Sequence, residues 1–100
     1  MKTLDVLKNV RKLFEDPNKW TSGRYTSEKG FCVKGACLKE TNAESFKHYK
    51  ADWYKELKIT ADSMVYAETE VCKIVYINDA LGYEAVLKLL DLTIERLEKQ

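Results

Sequence analysis

Residues 83–97 read YEAVLKLLDLTIERL, and their apolar side chains decide the fold. Tyr83, Val86, Leu87, Leu90, Ile94 and Leu97 recur at i, i+3, i+4, i+7, i+11 and i+14, the period of one helix face and not the alternation of a strand. A stripe this long must be covered by other elements, so the rest of the chain is read for what can pack against it. Just upstream, NDALGY (78–83) is a turn signal. Asn78 and Asp79 can bond neighbouring backbone, and Gly82 relaxes the geometry.

The other end of the chain offers a partner. In TLDVLKNVRKLFED (3–16), Leu7, Val10 and Phe14 hold helical spacing, with Val6 and Leu13 widening the stripe. Thr3 is the expected cap, Asp5 suits the first turn, and Pro17 stops the helix because its ring removes a donor and restricts Asp16. NKWTSGRYTSEKG (18–30) then reads as a packed loop anchored by Trp20, with Gly23 and Gly30 able to take positive φ.

In GFCVKGACLKE (30–40), Cys32, Gly35 and Ala36 stand at i, i+3 and i+4, a narrow small-residue face that lets another backbone come close. Asn42 is the expected cap of a third helix carrying Phe46, Tyr49, Trp53 and Leu57. Thr60 is the expected cap of a fourth carrying Ala61, Met64, Val65, Val71, Cys72 and Val75, with Glu68 against the pattern. VCKIVYIN (71–78) is rich in β-branched and aromatic residues and also reads as a strand. The expected architecture is therefore all-α, a compact bundle of four or five helices in a single domain over 1–100. The alternative is α+β, with a short strand pair near 71–77.

Composition excludes several classes. With 45% hydrophobic and 33% charged residues, one proline and four glycines, the 100-residue chain has the make-up of an ordinary folded domain. The three cysteines are odd in number and no leader is read in MKTLDVLKNV, so free thiols and the cytosol are expected. No apolar run approaches the ~18–20 residues of a membrane span. Residues 1–58 hold 13 Lys/Arg against 8 Asp/Glu and residues 59–100 hold 4 against 8, so the two halves can attract each other. So modest a lysine excess reads as solvated surface, and nucleic acid is not an expected partner.

Several chemistries compete for these residues. Cys32 or Cys37 as nucleophile, His48 as base and Asn78 or Asp79 as orienter would follow the chain order of papain-like hydrolases, but no nucleophile-bearing segment accompanies them, and buried structural cysteines are the preferred reading. Zinc would need Cys32, Cys37, His48 and Cys72. The spacing of Cys32 and Cys37 on one helix would turn their side chains about 140° apart. GFCVKG lacks the glycine patterns of phosphate loops, leaving only generic anion binding at a helix start near Gly30. No catalytic residue, metal or cofactor is assigned. Asn78 and Asp79 have two readings, as turn-stabilisers or as an amide and a carboxylate facing a shallow pocket with Trp20. Tyr83 completes this candidate ligand- or partner-binding set. Tyr25, Tyr54, Tyr66 and Tyr76, off the main stripes, could form a contact surface.

Trp20, the Phe31-Cys32-x-x-Gly35-Ala36 motif, Asn78-Asp79 and the helix from Tyr83 together resemble a family of small proteins of unknown function in tailed phages and bacteria. Residues 40–75 match nothing specific in that pattern. The resemblance implies a small, mostly helical, phage-associated domain and supplies no activity. The expected function is non-enzymatic binding of a host protein in the host cytosol, with inhibition of antiviral defence by analogy with other accessory phage proteins. The alternatives are sequestration of a small polar or nucleotide-derived ligand, in a homo-oligomer if the chain self-associates, and then a cysteine hydrolase.

Overall fold

The computed structural model describes residues 2–23, 26–27, 30–42, 50–66 and 72–100. Among them are the helices α1 (Thr3–Leu13), α2 (Val33–Thr41), α3 (Asp52–Met64), α4 (Lys73–Tyr76) and α5 (Tyr83–Glu98), with α4 running directly into a wide turn, Ile77–Leu81. A 3-10 turn spans Pro17–Lys19, and the two-residue strands β1 (Thr26–Ser27) and β2 (Gly30–Phe31) pair antiparallel. The fold is an all-α bundle, as the sequence indicates.

Three ties fix how α1 lies on α5. Lys8 meets Glu98 at 3.1 Å, Arg11 meets Asp91 at 2.7 Å, and the Tyr83 hydroxyl donates to the Phe14 carbonyl. Numbers rise along one helix as they fall along the other, so the two run antiparallel. The same logic orients α3 on α5: Arg96 reaches Glu56 at 2.7 Å and the Thr60 and Thr93 hydroxyls meet at 2.7 Å. The Lys8 and Arg11 pairs join the basic half of the chain to the acidic half, as the charge split suggests, whereas Arg96–Glu56 runs the other way.

With α1 on one side and α3 on the other, α5 buries a face turned toward Leu89 and Thr93. Val86, Leu89, Leu90 and Thr93 are buried, and Leu87, Ile94 and Leu97 of the expected stripe are only half-buried. Thr93 is admitted to the interior because its hydroxyl is bonded there. Leu7, Val10 and Phe14 of α1 and Leu57 of α3 close the same core, each contributing roughly 1.5–3 kcal/mol by burial.

The narrow small-residue face expected in α2 is wider in fact: Val33 through Leu38 are all buried, and the helix packs against α1, β2 and α4. Cys32 precedes that helix rather than lying within it. Its Sγ accepts from the Gly35 N–H at 3.3 Å, filling the capping place usually taken by serine or aspartate.

Several boundaries differ from expectation. Lys2, not Thr3, sits at the N-cap of α1, with no side-chain bond. Asn42 ends α2 instead of starting a helix; its φ of 52° is the left-handed conformation that asparagine tolerates. Thr60 lies inside α3, which continues to Met64 before the chain turns. The strand alternative near 71–77 is overturned, because 73–76 is helical with Ile74 and Ile77 fully buried at i, i+3, and packing overrides β propensity. The short strand pair lies at 26–31 instead. Phe46, His48, Tyr49, Glu68, Val71 and Tyr25 lie outside the described residues. Among the described residues no helix is long and apolar enough to cross a membrane.

Candidate functional site

The wide turn after α4 is the centre of the site. The Gly82 N–H bonds the Ile77 carbonyl five residues back at 3.0 Å, one residue more than an α-helical ring, and Gly82 then leaves with φ of 96°. Asn78 is buried inside this turn and Asp79 is exposed on it.

Every hydrogen-bonding position of the Asn78 amide is occupied. Its Oδ1 accepts from the Trp20 indole Nε1 at 2.8 Å and from the Val33 backbone N–H at 3.0 Å. Its Nδ2 donates to the Thr21 carbonyl at 3.2 Å and to Asp79 Oδ1 at 2.8 Å. One side chain thus joins the Trp20 loop, the start of α2 and the wide turn. The loop is held from the other side as well, since the Thr21 N–H bonds the Phe31 carbonyl at 2.9 Å.

The structure brings all four sequence-predicted residues together. The Trp20 and Tyr83 rings lie 5.8 Å apart between centroids, and Asp79 Oδ1 also accepts from the Gly23 N–H at 2.8 Å. Trp20, Asn78 and Tyr83 build the frame; Asp79, tied to it by Gly23 and Asn78 through one carboxylate oxygen, is its exposed member.

Against this frame is a hollow of about 200 Å³ between the start of α2 and the turn, with Asn78, Asp79, Lys34 and Cys32 in its wall together with Val33, Val75 and Gly23. Lys34 is only 6% exposed, and its Nζ stands 5.8 Å from the Tyr54 ring centroid, a cation over an aromatic face. Sequence reasoning missed Lys34. Its signal was a lone lysine inside a run of small and apolar residues, FCVKGAC. Gly23 and Val75 stand out in the sequence only as a turn glycine and a helix-stripe residue, not as lining of a hollow.

Burial works against thiolate formation at Cys32 and Cys37. Burial pushes the Cys32 thiol pKa up, offset in part by the Gly35 and Lys34 backbone N–H groups, and complete burial pushes the Cys37 thiol further up. That is opposite to what a nucleophile needs. Cys72 is half-buried, none of the three is in a disulfide, and the proposed partner His48 lies outside the described residues. Among the described residues no three Cys, His, Asp or Glu side chains are grouped as metal ligands would be. The generic anion site near Gly30 is also not offered. In the first turn of α2 the Val33 N–H bonds Asn78, the Gly35 N–H bonds Cys32 Sγ, and the Ala36 N–H bonds the Cys32 carbonyl.

Comparison with protein-family models, with curated proteins and with solved structures gives no match to this chain.

Proposed function

We propose that the protein acts by non-catalytic binding and that its recognition point is the hollow between α2 and the wide turn, which takes a small polar ligand. The observation that carries this reading is the placement of Asp79 and Lys34 in the wall of one concavity, against Val33 and Val75. Ligand sites combine apolar walls with a few fixed polar groups, and Asp79 is fixed by two N–H donors on one oxygen. The raised thiol pKa of Cys32 in the same wall argues against a hydrolase.

Capture of a host protein, with an effect on antiviral defence, is the second reading. It is supported by the resemblance to phage proteins and by Tyr66, 90% exposed and not part of the hollow.

Two-dimensional amide NMR against a library of small polar fragments tests the first reading. Shifts should cluster on Gly23, Val33, Lys34, Val75 and Asp79, and Asp79→Ala should keep the fold while losing them. A library that leaves these amides unmoved, together with a host-lysate capture abolished by Tyr66→Ser, would reverse the order of the two readings.

A further inference from the structure

Of the residues lining the hollow, only Asp79 and Lys34 carry a full charge. The Lys34 ammonium lies over the Tyr54 ring, which is no part of that lining, and Lys34 has a further interaction as well. The carboxylate of Asp79 is placed differently. Both N–H donors that hold it, from Gly23 and from the Asn78 amide, bond the same oxygen, Oδ1. That oxygen has both lone pairs engaged, whereas Oδ2 takes no hydrogen bond among the described residues. After burial and its backbone N–H bonds, the Cys32 thiol in the wall feels Asp79 more strongly than Lys34, so the balance of charge in the hollow is negative. Asn78 offers a ligand nothing, because its amide is already fully bonded.

Building on the hollow as the recognition point, we infer that its ligand is a free, compact primary amine in its ammonium form, bound through Asp79 Oδ2 with a short aliphatic part against Val33 and Val75. A guanidinium uses two carboxylate oxygens side by side for its paired N–H groups, and here one of the two is already filled, so a point-like ammonium is the better match. An anion would face the Asp79 charge, and an uncharged ligand of the same shape would forgo the ion pair. The carboxylate is held in orientation by Gly23 and Asn78 before any ligand arrives, which lowers the ordering required on binding. At about 200 Å³ the space is smaller than the roughly 300–1,000 Å³ of sites for drug-sized molecules, which limits the amine to a few carbons.

The test is an amide NMR titration of the wild-type protein with isobutylamine, isobutanol, isovalerate, N-isobutylguanidine and a lysine blocked at both backbone ends, repeated on Asp79→Asn. Isobutylamine should bind about fivefold or more tightly than isobutanol or isovalerate, the worth of an ion pair at a partly solvated carboxylate, and more tightly than the guanidine. Asp79→Asn should erase its lead over isobutanol. That variant keeps an oxygen for Gly23 and Asn78 at an exposed position, so the fold should persist, and the wild-type series decides the matter in any case. Equal affinity for amine and alcohol, or a lead that survives Asp79→Asn, overturns the ammonium pairing and leaves the hollow as a site for another chemistry. Preference for the guanidine overturns pairing through one oxygen. A blocked lysine that outbinds isobutylamine assigns the ammonium to a side chain of a partner protein and overturns the free amine. If neither these probes nor the fragment library moves the hollow's amides, the recognition point itself is overturned and the inference with it.

Discussion

The amide oxygen of Asn78 lies 2.8 Å from the indole nitrogen of Trp20, 58 residues away in sequence, and the same oxygen takes the backbone N–H that opens α2 at 3.0 Å. Replacing Asn78 with alanine leaves the Val33 N–H and the Trp20 indole without an acceptor in a buried setting. The expected loss is about 3 kcal/mol or more in chemical denaturation. Trp20→Phe removes one of the four bonds and should lose about 1 kcal/mol, and a double-mutant cycle with Asn78→Ala should show coupling of about that size. Strict additivity would mean that the bond carries no stability.

Tyr83→Phe tests whether the aromatic beside Trp20 is frame or ligand contact. It removes the hydroxyl that bonds the Phe14 carbonyl and ties α5 to the end of α1. Stability should drop by about 1 kcal/mol while ligand affinity at the hollow is unchanged. A changed affinity with unaltered melting would place Tyr83 in the recognition surface instead.

Replacement of Gly30 meets backbone. Its φ is +146°, and a Cβ there would stand 2.3 Å from the Lys19 carbonyl carbon, so the segment before Trp20 would have to move. Gly30→Ala should destabilise by about 3 kcal/mol or more. Gly23, at φ +80° with open space around it, should lose only about 1–2 kcal/mol on the same change. Equilibrium melts of the two variants side by side distinguish the close approach from the dihedral alone.

The thiols give a prediction in pH. Burial holds the folded Cys32 and Cys37 pKa values above the ordinary 9.0, so on raising the pH past about 9 the unfolded chain loses these protons first. Their contribution is complete below the unfolded pKa, and stability then falls as the pH climbs toward the folded values. The decline should be shallower in Cys37→Ala than in wild type. With a thiol-reactive dye at pH 8, Cys72 should label first and Cys37 only on unfolding. Cys37→Ser should be the more damaging serine substitution, since it buries a hydroxyl, while Cys32→Ser keeps a capping acceptor for Gly35.

Where a long apolar period and a clear stop coincide, the chain is legible. The stripe of α1 with its end before Pro17, and the presence of α5, follow from spacing and from proline's missing donor. The gathering of Trp20, Asn78, Asp79 and Tyr83 could also be anticipated. What that gathering does could not, because an asparagine bonding three separate segments has no local signature. Asn42 and Thr60 show the limit of capping rules. Each residue type suits a helix start, yet Asn42 takes the left-handed conformation that ends one, and Thr60 is held mid-helix by a hydroxyl contact from α5. The helicity of 73–76 defeats β propensity because Ile74 and Ile77 enter the core from one side of a helix. Lys34 stood alone in GFCVKG without the glycine pattern of a phosphate loop, and nothing else in the sequence marks it as buried.

The antiparallel seating of α1 on α5 sets the middle of the first helix against the end of the last, with Lys8 on Glu98, and leaves the start of α1 about five residues further along the same direction. A few added residues could join these ends into a cyclic backbone without bending either helix. The whole bundle could equally be spliced into a surface loop of another protein, entering and leaving through neighbouring points.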